Sequence, residues 1–345
     1  MINPSTFREL VSGRQRGPAA MLLRGLLRLC ETPYSWAMRV RNRRYDRGHA
    51  ETHRVDVPVI SIGNLTLGGT GKTPLVEWIA RYFRQRGVRV SIVSRGYAAG
   101  KEGPNDEALE LQLALPDVPH LQNTNRVEAA QTAIEELNTE LILLDDGFQH
   151  RRLERDLDIV LLDATEPFGF EHVFPRGTLR EPLAGLARAD VVVLSRADML
   201  SSDARQTVRE RVNRLAPRAV WCELQHAPRE LVNARGESSG LDSIAGKRVA
   251  ACCGIGNPAG FRHTLESLNA KRIAWREFAD HHAYTREDIE SLAQWAAGAE
   301  AILCTRKDLV KLQVATIGGI PLWSVGVELQ FTAGQSEFEA ALAGV

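Results

Sequence analysis

The sequence predicts an α/β fold with a doubly wound, mostly parallel sheet. A second, smaller α/β domain is expected after it and an amphipathic helix before it. Three observations predict this. From residue 57 onward, short apolar runs alternate with helix-patterned segments. Those runs are continuous rather than alternating, as in strands buried on both faces. A glycine-rich turn sits between the first run and the first helix after it, where a phosphate-binding loop belongs.

The amphipathic start comes first in the chain. Residues 18–47 are expected to be helical with a break at Pro33, because proline lacks the N–H that continues a helix. At about 100° per residue, Leu22, Leu23, Leu26, Leu27, Leu29 and Cys30 share one arc, while Arg24, Arg28 and Glu31 face away. Next come Tyr34, Trp36 and Met38, then Arg39, Arg41, Arg43, Arg44 and Arg47. Residues 1–50 hold ten Arg and three acids, although the chain's 43 basic and 43 acidic residues cancel. Apolar residues, aromatics and arginines in that order suit a helix lying on an anionic membrane surface. The same pattern also suits a helix packed on the protein's own core with a solvated Arg face.

Composition narrows the class. Zero net charge argues against a generic nucleic-acid binder. No run approaches the roughly 18 apolar residues of a membrane span. Arg24 and Arg28 interrupt the only segment resembling a signal peptide. The five Cys form no CxxC pair, which speaks against a zinc or redox motif and for a reducing cytoplasm.

The strands expected in the main domain are 57–62, 88–93, 141–145, 159–163 and 191–194. Helices are expected at 73–86, 126–138 and 203–215. A second unit starts in the region 220–245, with strands 248–253, 272–277 and 301–304 and helices 258–268 and 285–297. The expected division is 1–50 for the amphipathic segment, 51–220 for the main domain and 221–345 for the smaller one. The pattern shows no internal repeat.

The segment GNLTLGGTGKTP, residues 63–74, has the setting of a P-loop, which makes the fold P-loop NTPase-like. Gly68, Gly69 and Gly71 let backbone N–H groups, including that of Thr70, turn toward phosphate oxygens. Lys72 places a positive charge against the outer phosphates, Thr73 offers a hydroxyl to Mg²⁺, and the helix N-terminus adds its dipole. The usual GxxxxGK[ST] pattern has Gly where this chain has Thr66, and the KGGxGK[ST] variant has Lys where it has Leu67. LILLDDGFQHRRL, residues 141–153, then ends an apolar strand in Asp145 and Asp146, where P-loop proteins keep the acid that serves Mg²⁺. In strand geometry the two side chains point to opposite faces. SRAD (195–198) and TRKD (305–308) loosely resemble the guanine-reading [NT]KxD pattern, and neither completes it.

Taken together, these segments resemble the tetraacyldisaccharide 4′-kinase family, the lipid A 4′-kinases. The resemblance runs from PYSWAMRVRNRRYDRG (33–48) through the P-loop, VSRGYAAG (93–100) and LLDDGFQHRRLERDLDIVLLDA (143–164). It continues through PRGTLREPLAGLARAD (175–190), GIGNPAGF (254–261) and FADHHAYT (278–285) to CTRKDLVKL (304–312). It implies a P-loop kinase using ATP and Mg²⁺, peripheral on the cytoplasmic face of the inner membrane of a Gram-negative bacterium. The implied substrate is a tetraacylated glucosamine disaccharide 1-phosphate, and the implied product is lipid IVA. No nucleic-acid or obligate protein partner is implied, and membrane contact through residues 18–47 gains weight.

The resemblance also implies roles. Glu181, in LREP, would be a further metal-side acid. Arg180 beside it and Arg126, in NTNRVEAA, would clamp phosphates. Asp106, in NDEAL, would accept the proton with His281 as its partner, although Asn105 stands where the family tends to have Gly and His282 adjoins His281. Gln149 and His150 come close enough after the Asp pair to line the same site. Asn64 and Tyr97 lie in loops after strands, the edge where α/β ligands bind. GIGNPAGF reads as strand, glycine turn and helix, which suits either a tight turn or a second anion site, the tight turn being favoured. Two other readings remain: a P-loop ATPase or GTPase driving a protein partner, and a peripheral membrane scaffold with an idle loop.

Overall fold

The computed structural model describes residues 4–96 and 106–345. The elements run α1 (Pro4–Val11), α2 (Pro18–Asp46), β1 (Val59–Asn64), α3 (Lys72–Arg84), β2 (Val90–Ser94), α4 (Asp106–Ala114), β3 (His120–Gln122), α5 (Arg126–Leu137) and β4 (Leu141–Asp145). After these come β5 (Leu157–Asp163), β6 (Val191–Ser195), α6 (Ser202–Leu215), β7 (Val220–Val232), β8 (Ser238–Ser239), β9 (Arg248–Cys253) and α7 (Pro258–Glu266). The chain ends with β10 (Lys271–Glu277), α8 (Arg286–Trp295), β11 (Ala301–Cys304), α9 (Arg306–Leu312), β12 (Thr316–Ile317), β13 (Ile320–Ala333) and α10 (Gln335–Ala343). Tyr97 lies outside the described residues.

The chain forms two compact units. One comprises residues 1–102, 115–225 and 331–345, the other 103–114 and 226–330. In the larger unit the strands lie in the order β3-β2-β4-β1-β5-β6-β7, all parallel. β1, β2, β4, β5 and β6 are buried at every residue, which explains their unbroken apolar runs. β1 is flanked by β4 and β5, so the winding reverses there and the loop after β1 opens at the switch point where ligands bind. Leu65, Phe148, Val160, Leu162, Val192 and Leu194 share one core cluster beneath this edge. The C-terminal α10 returns to this unit and sets Phe338 against Trp78 of α3, ring centroids 5.7 Å apart.

The smaller unit carries the parallel strands β10-β9-β11-β13. Its two cores lie on either side of them, one with Phe261 and Leu265 of α7, the other with Leu292 of α8 and Leu309 and Leu312 of α9.

One expectation fails at α2, which continues from 18 to 46 with Pro33 inside it rather than breaking there. Pro33 removes only its own bond to the preceding turn. The Thr32 hydroxyl meanwhile donates to the Arg28 carbonyl at 3.1 Å, and the ladder resumes.

Candidate nucleotide site and acid–base pair

Residues 65–71 carry the chain from β1 into α3. Gly68 (φ 111°) and Gly71 (φ 86°) adopt left-handed backbone, and Gly71 is the residue that opens α3. Lys72 and Thr73 therefore stand in the first turn, where N–H groups lack intrahelical partners and the dipole is positive. Asn64, fully buried, braces the loop. Its Nδ2 donates to the Thr66 carbonyl at 2.9 Å and the Thr70 hydroxyl at 3.2 Å, and its Oδ1 accepts from Lys72 Nζ at 3.4 Å.

β4 delivers the two acids beside this loop, with Asp145 opposite Ile62 of β1. Strand geometry stops at Asp145, which is buried. Asp146 turns left-handed (φ 52°), so alternation along a strand does not set the direction of its side chain. Both its oxygens accept from Arg180 Nη1, at 2.8 and 2.7 Å, and Lys72 Nζ lies 3.4 Å away. Burial alone would raise this carboxyl, but the charges of Lys72, Arg180 and Arg126 outweigh it and hold the group well below the ordinary range. Arg126, the first residue of α5 and nearly buried, donates to the Asp146 carbonyl at 3.4 Å. The two arginines and the loop lysine thus converge on one residue.

A second knot joins the site to α2. Glu181 is 1% exposed. Its carboxylate accepts from Arg188 Nη2 at 2.9 and 3.1 Å, Gln149 Nε2 at 3.1 Å and Asn42 Nδ2 at 2.5 Å. Gln149 Nε2 also donates to the Asn64 carbonyl at 3.0 Å. From α2, Arg41 donates to the Gln149 carbonyl at 2.5 Å and Tyr34 to the Arg180 carbonyl at 3.1 Å. Glu31, further along α2, accepts from the Val173 N–H at 2.8 Å and lies 3.0 Å from His172 Nδ1. His150 sits next to Gln149. Burial, and then the charges of Arg126, Arg155, Arg152 and Arg41, push it down to about 4, so it is neutral at neutral pH.

In the smaller unit, His281 Nδ1 lies 3.2 Å from Asp106 Oδ2. The neighbouring His282 turns elsewhere, to Asp288 at 2.8 Å and onto the Phe278 ring. GIGNPAGF is a capped turn, with the Asn257 side chain accepting from the Gly260 N–H at 3.0 Å. Arg196 of SRAD donates to Asp163 at 2.5 Å and to the Gly69 carbonyl of the loop at 3.4 Å. Sequence reasoning missed Asn42 and Arg188, which carry no distinguishing signal, and read Tyr34 only as an aromatic of the membrane-surface pattern, whereas its hydroxyl donates to the Arg180 carbonyl. It also missed Lys307 and Lys311, although TRKD marked their neighbourhood.

The comparisons decide the family. The family model described as "LpxK: Tetraacyldisaccharide-1-P 4′-kinase" matches residues 23–345. The chain belongs to the tetraacyldisaccharide-1-P 4′-kinase family. A protein named tetraacyldisaccharide 4′-kinase from Anaeromyxobacter dehalogenans (strain 2CP-C) is 40% identical, the match covering 97% of this chain and 94% of that one. Another of that name, from Geobacter sulfurreducens, is 36% identical over 94% of each. Among solved structures, the "apo" form of LpxK from Aquifex aeolicus in complex with ATP superposes with a TM-score of 0.74 at 28% identity, over 93% of this chain and 99% of that one. A kinase of this family acts on a lipid disaccharide, and among the described residues no helix is long and apolar enough to cross a membrane.

Proposed function

We propose that this chain moves the γ-phosphate of ATP to the 4′-hydroxyl of a tetraacylated glucosamine disaccharide 1-phosphate, giving lipid IVA, at the cytoplasmic face of the inner membrane. The observation that carries the reading is the glycine loop closed by Lys72 beside Asp146, in a chain that matches a 4′-kinase family over residues 23–345. The backbone of residues 68–73 and Lys72 cradle the β- and γ-phosphates. Arg126 and Arg180, gathered with Lys72 at Asp146, clamp the phosphate charge.

An all-oxygen donor set fits Mg²⁺. Thr73, Asp145 and Asp146 would hold it. Glu181 would be a further metal-side acid, its carboxylate held by Arg188, Gln149 and Asn42. When bound, the ion neutralises phosphate charge. Asn64, Gln149 and His150 shape the walls. The Asp106–His281 pair takes the proton of the attacking hydroxyl.

Membrane contact is assigned to α2. Met21, Leu22, Leu26, Leu29, Trp36 and Val40 are all exposed, with Trp36 at 66%. The spacing 22, 26, 29, 36, 40 places five of them in one stripe. Replacing Leu26 and Trp36 by Glu is expected to abolish co-sedimentation with vesicles containing anionic phospholipid, and retained binding would remove α2 from this role.

Steady-state and single-turnover transfer separate the residue roles. Lys72→Ala is expected to lower kcat by about 10²–10³ and to weaken ATP binding. Asp106→Ala is expected to lower kcat by about 10²–10⁴ with KM for ATP unchanged. Transfer that survives Asp106→Ala moves the proton acceptor elsewhere. ATP hydrolysis stimulated by a protein and not by the lipid would favour the partner-driving reading.

A further inference from the structure

The TRKD segment, residues 305–308, completes no guanine-reading pattern, yet it is firmly built. Thr305 caps α9: its Oγ1 accepts from the Asp308 N–H at 3.2 Å and donates to Asp308 Oδ2 at 2.5 Å. Asp308, fully buried, also accepts from the Gly254 N–H and the Tyr284 hydroxyl, each at 2.9 Å. The first turn of α9 is thereby fixed, and with it Lys307 and, one turn later, Lys311.

Both lysines reach the Asp106–His281 pair. Lys311, only 10% exposed, sets Nζ 3.5 Å from Asp106 Oδ2 and 3.9 Å from Asp308 Oδ1, over the Tyr284 ring. Lys307 Nζ lies 3.2 Å from Asp280 Oδ1 and 3.3 Å from His281 Nε2. Asp280 accepts the His281 N–H at 3.0 Å and stands 3.9 Å from its Nε2. Among the described residues, the charged groups facing the imidazole are therefore Asp106 from α4, Lys307 from α9 and Asp280 from its own loop.

A lysine ammonium has three donors and no acceptor. Facing Lys307, Nε2 must offer its lone pair. The ring proton then sits on Nδ1, the atom turned to Asp106. We propose that Lys307 is a positioning residue that fixes His281 as a neutral imidazole protonated on Nδ1, with Lys311 as the ion-pair partner of the Asp106 carboxylate. This rests on the reading of Asp106 and His281 as the proton-accepting pair. It replaces the imidazolium that chemistry alone suggests for His281 with a neutral donor. Among the described residues, the contacts from His281 and Lys311 both fall on Oδ2, and the proposal gives the hydroxyl proton to Oδ1.

The test uses the full-length enzyme in detergent with ¹⁵N-labelled histidine, His281 being assigned against His281→Asn. Wild type and Lys307→Arg are expected to show Nδ1 protonated and Nε2 bare, and Lys307→Met a mixture of tautomers. Lys307→Met and Lys311→Met should each lose about tenfold or more in kcat with KM for ATP unchanged, and Lys307→Arg should recover most of it. A wild-type ring protonated on Nε2 or on both nitrogens overturns the proposal, as does a Lys307→Met enzyme with unchanged tautomer and kcat. If instead Asp106→Ala keeps full kcat, the proton-acceptor reading falls, while the tautomer measurement still judges Lys307.

Discussion

At Asp146 a single left-handed residue turns a strand-end acid into the meeting point of Lys72, Arg180 and Arg126. The run of Leu141–Asp145 makes the strand legible. The turn at its end is not, because a positive φ on a non-glycine residue leaves no mark in the sequence. Asp106 is less legible still, one acid among 43, visible only through the family resemblance. The histidines carry a pH dependence. Burial pushes His120 down to about 4, and burial together with nearby arginines does the same to His150. Both are neutral when folded and free to charge when unfolded, so unfolding takes up protons as pH falls. Their contribution to stability is complete above about 6.5 and declines from there toward about 4. The urea midpoint is therefore expected to drop between pH 7 and pH 5, and to drop less in His120→Gln. Equal drops in the two proteins would show that His120 does not contribute.

At the scale of elements, α2 has two working faces. One presents the apolar stripe. The other holds Glu181, Gln149 and Arg180 through Asn42, Arg41 and Tyr34. The amphipathic pattern reveals the first face. The second is hidden because its polar residues look like any solvated arginine-rich surface. β4 and β9 stand where their apolar runs place them, while β7 and β13 mix polar and half-buried residues and give no such run. β1 and the loop after β4 meet closely at Gly63, where a Cβ would lie 2.5 Å from Phe148 Cβ and 2.7 Å from its backbone nitrogen. Phe148 is fully buried and has nowhere to go. Gly63→Ala is expected to cost about 1–3 kcal/mol and to raise KM for ATP by shifting Asp146. Denaturant unfolding and steady-state kinetics read the two effects, and unchanged values of both would show that the loop yields.

At the scale of the molecule, the residues assigned to the proposed function are divided over two parallel-sheet units. The larger holds the phosphate loop, the acid pair and the arginines, and the smaller holds Asp106, His281 and the lysines of α9. The doubly wound, mostly parallel class of the sheet was readable because buried parallel strands need unbroken apolar runs. The return of residues 331–345 to the larger unit was not, since a short helix anchored by Phe338 resembles any other surface helix. Under the proposed function these parts pass phosphate to a lipid rather than to water. Locating the label is the most direct test, after the detergent-solubilised protein has been incubated with Mg²⁺, γ-labelled ATP and tetraacyldisaccharide 1-phosphate. Label on the 4′ position of the lipid, with little free phosphate, is the expected result. Label released as inorganic phosphate, with none on the lipid, would contradict it.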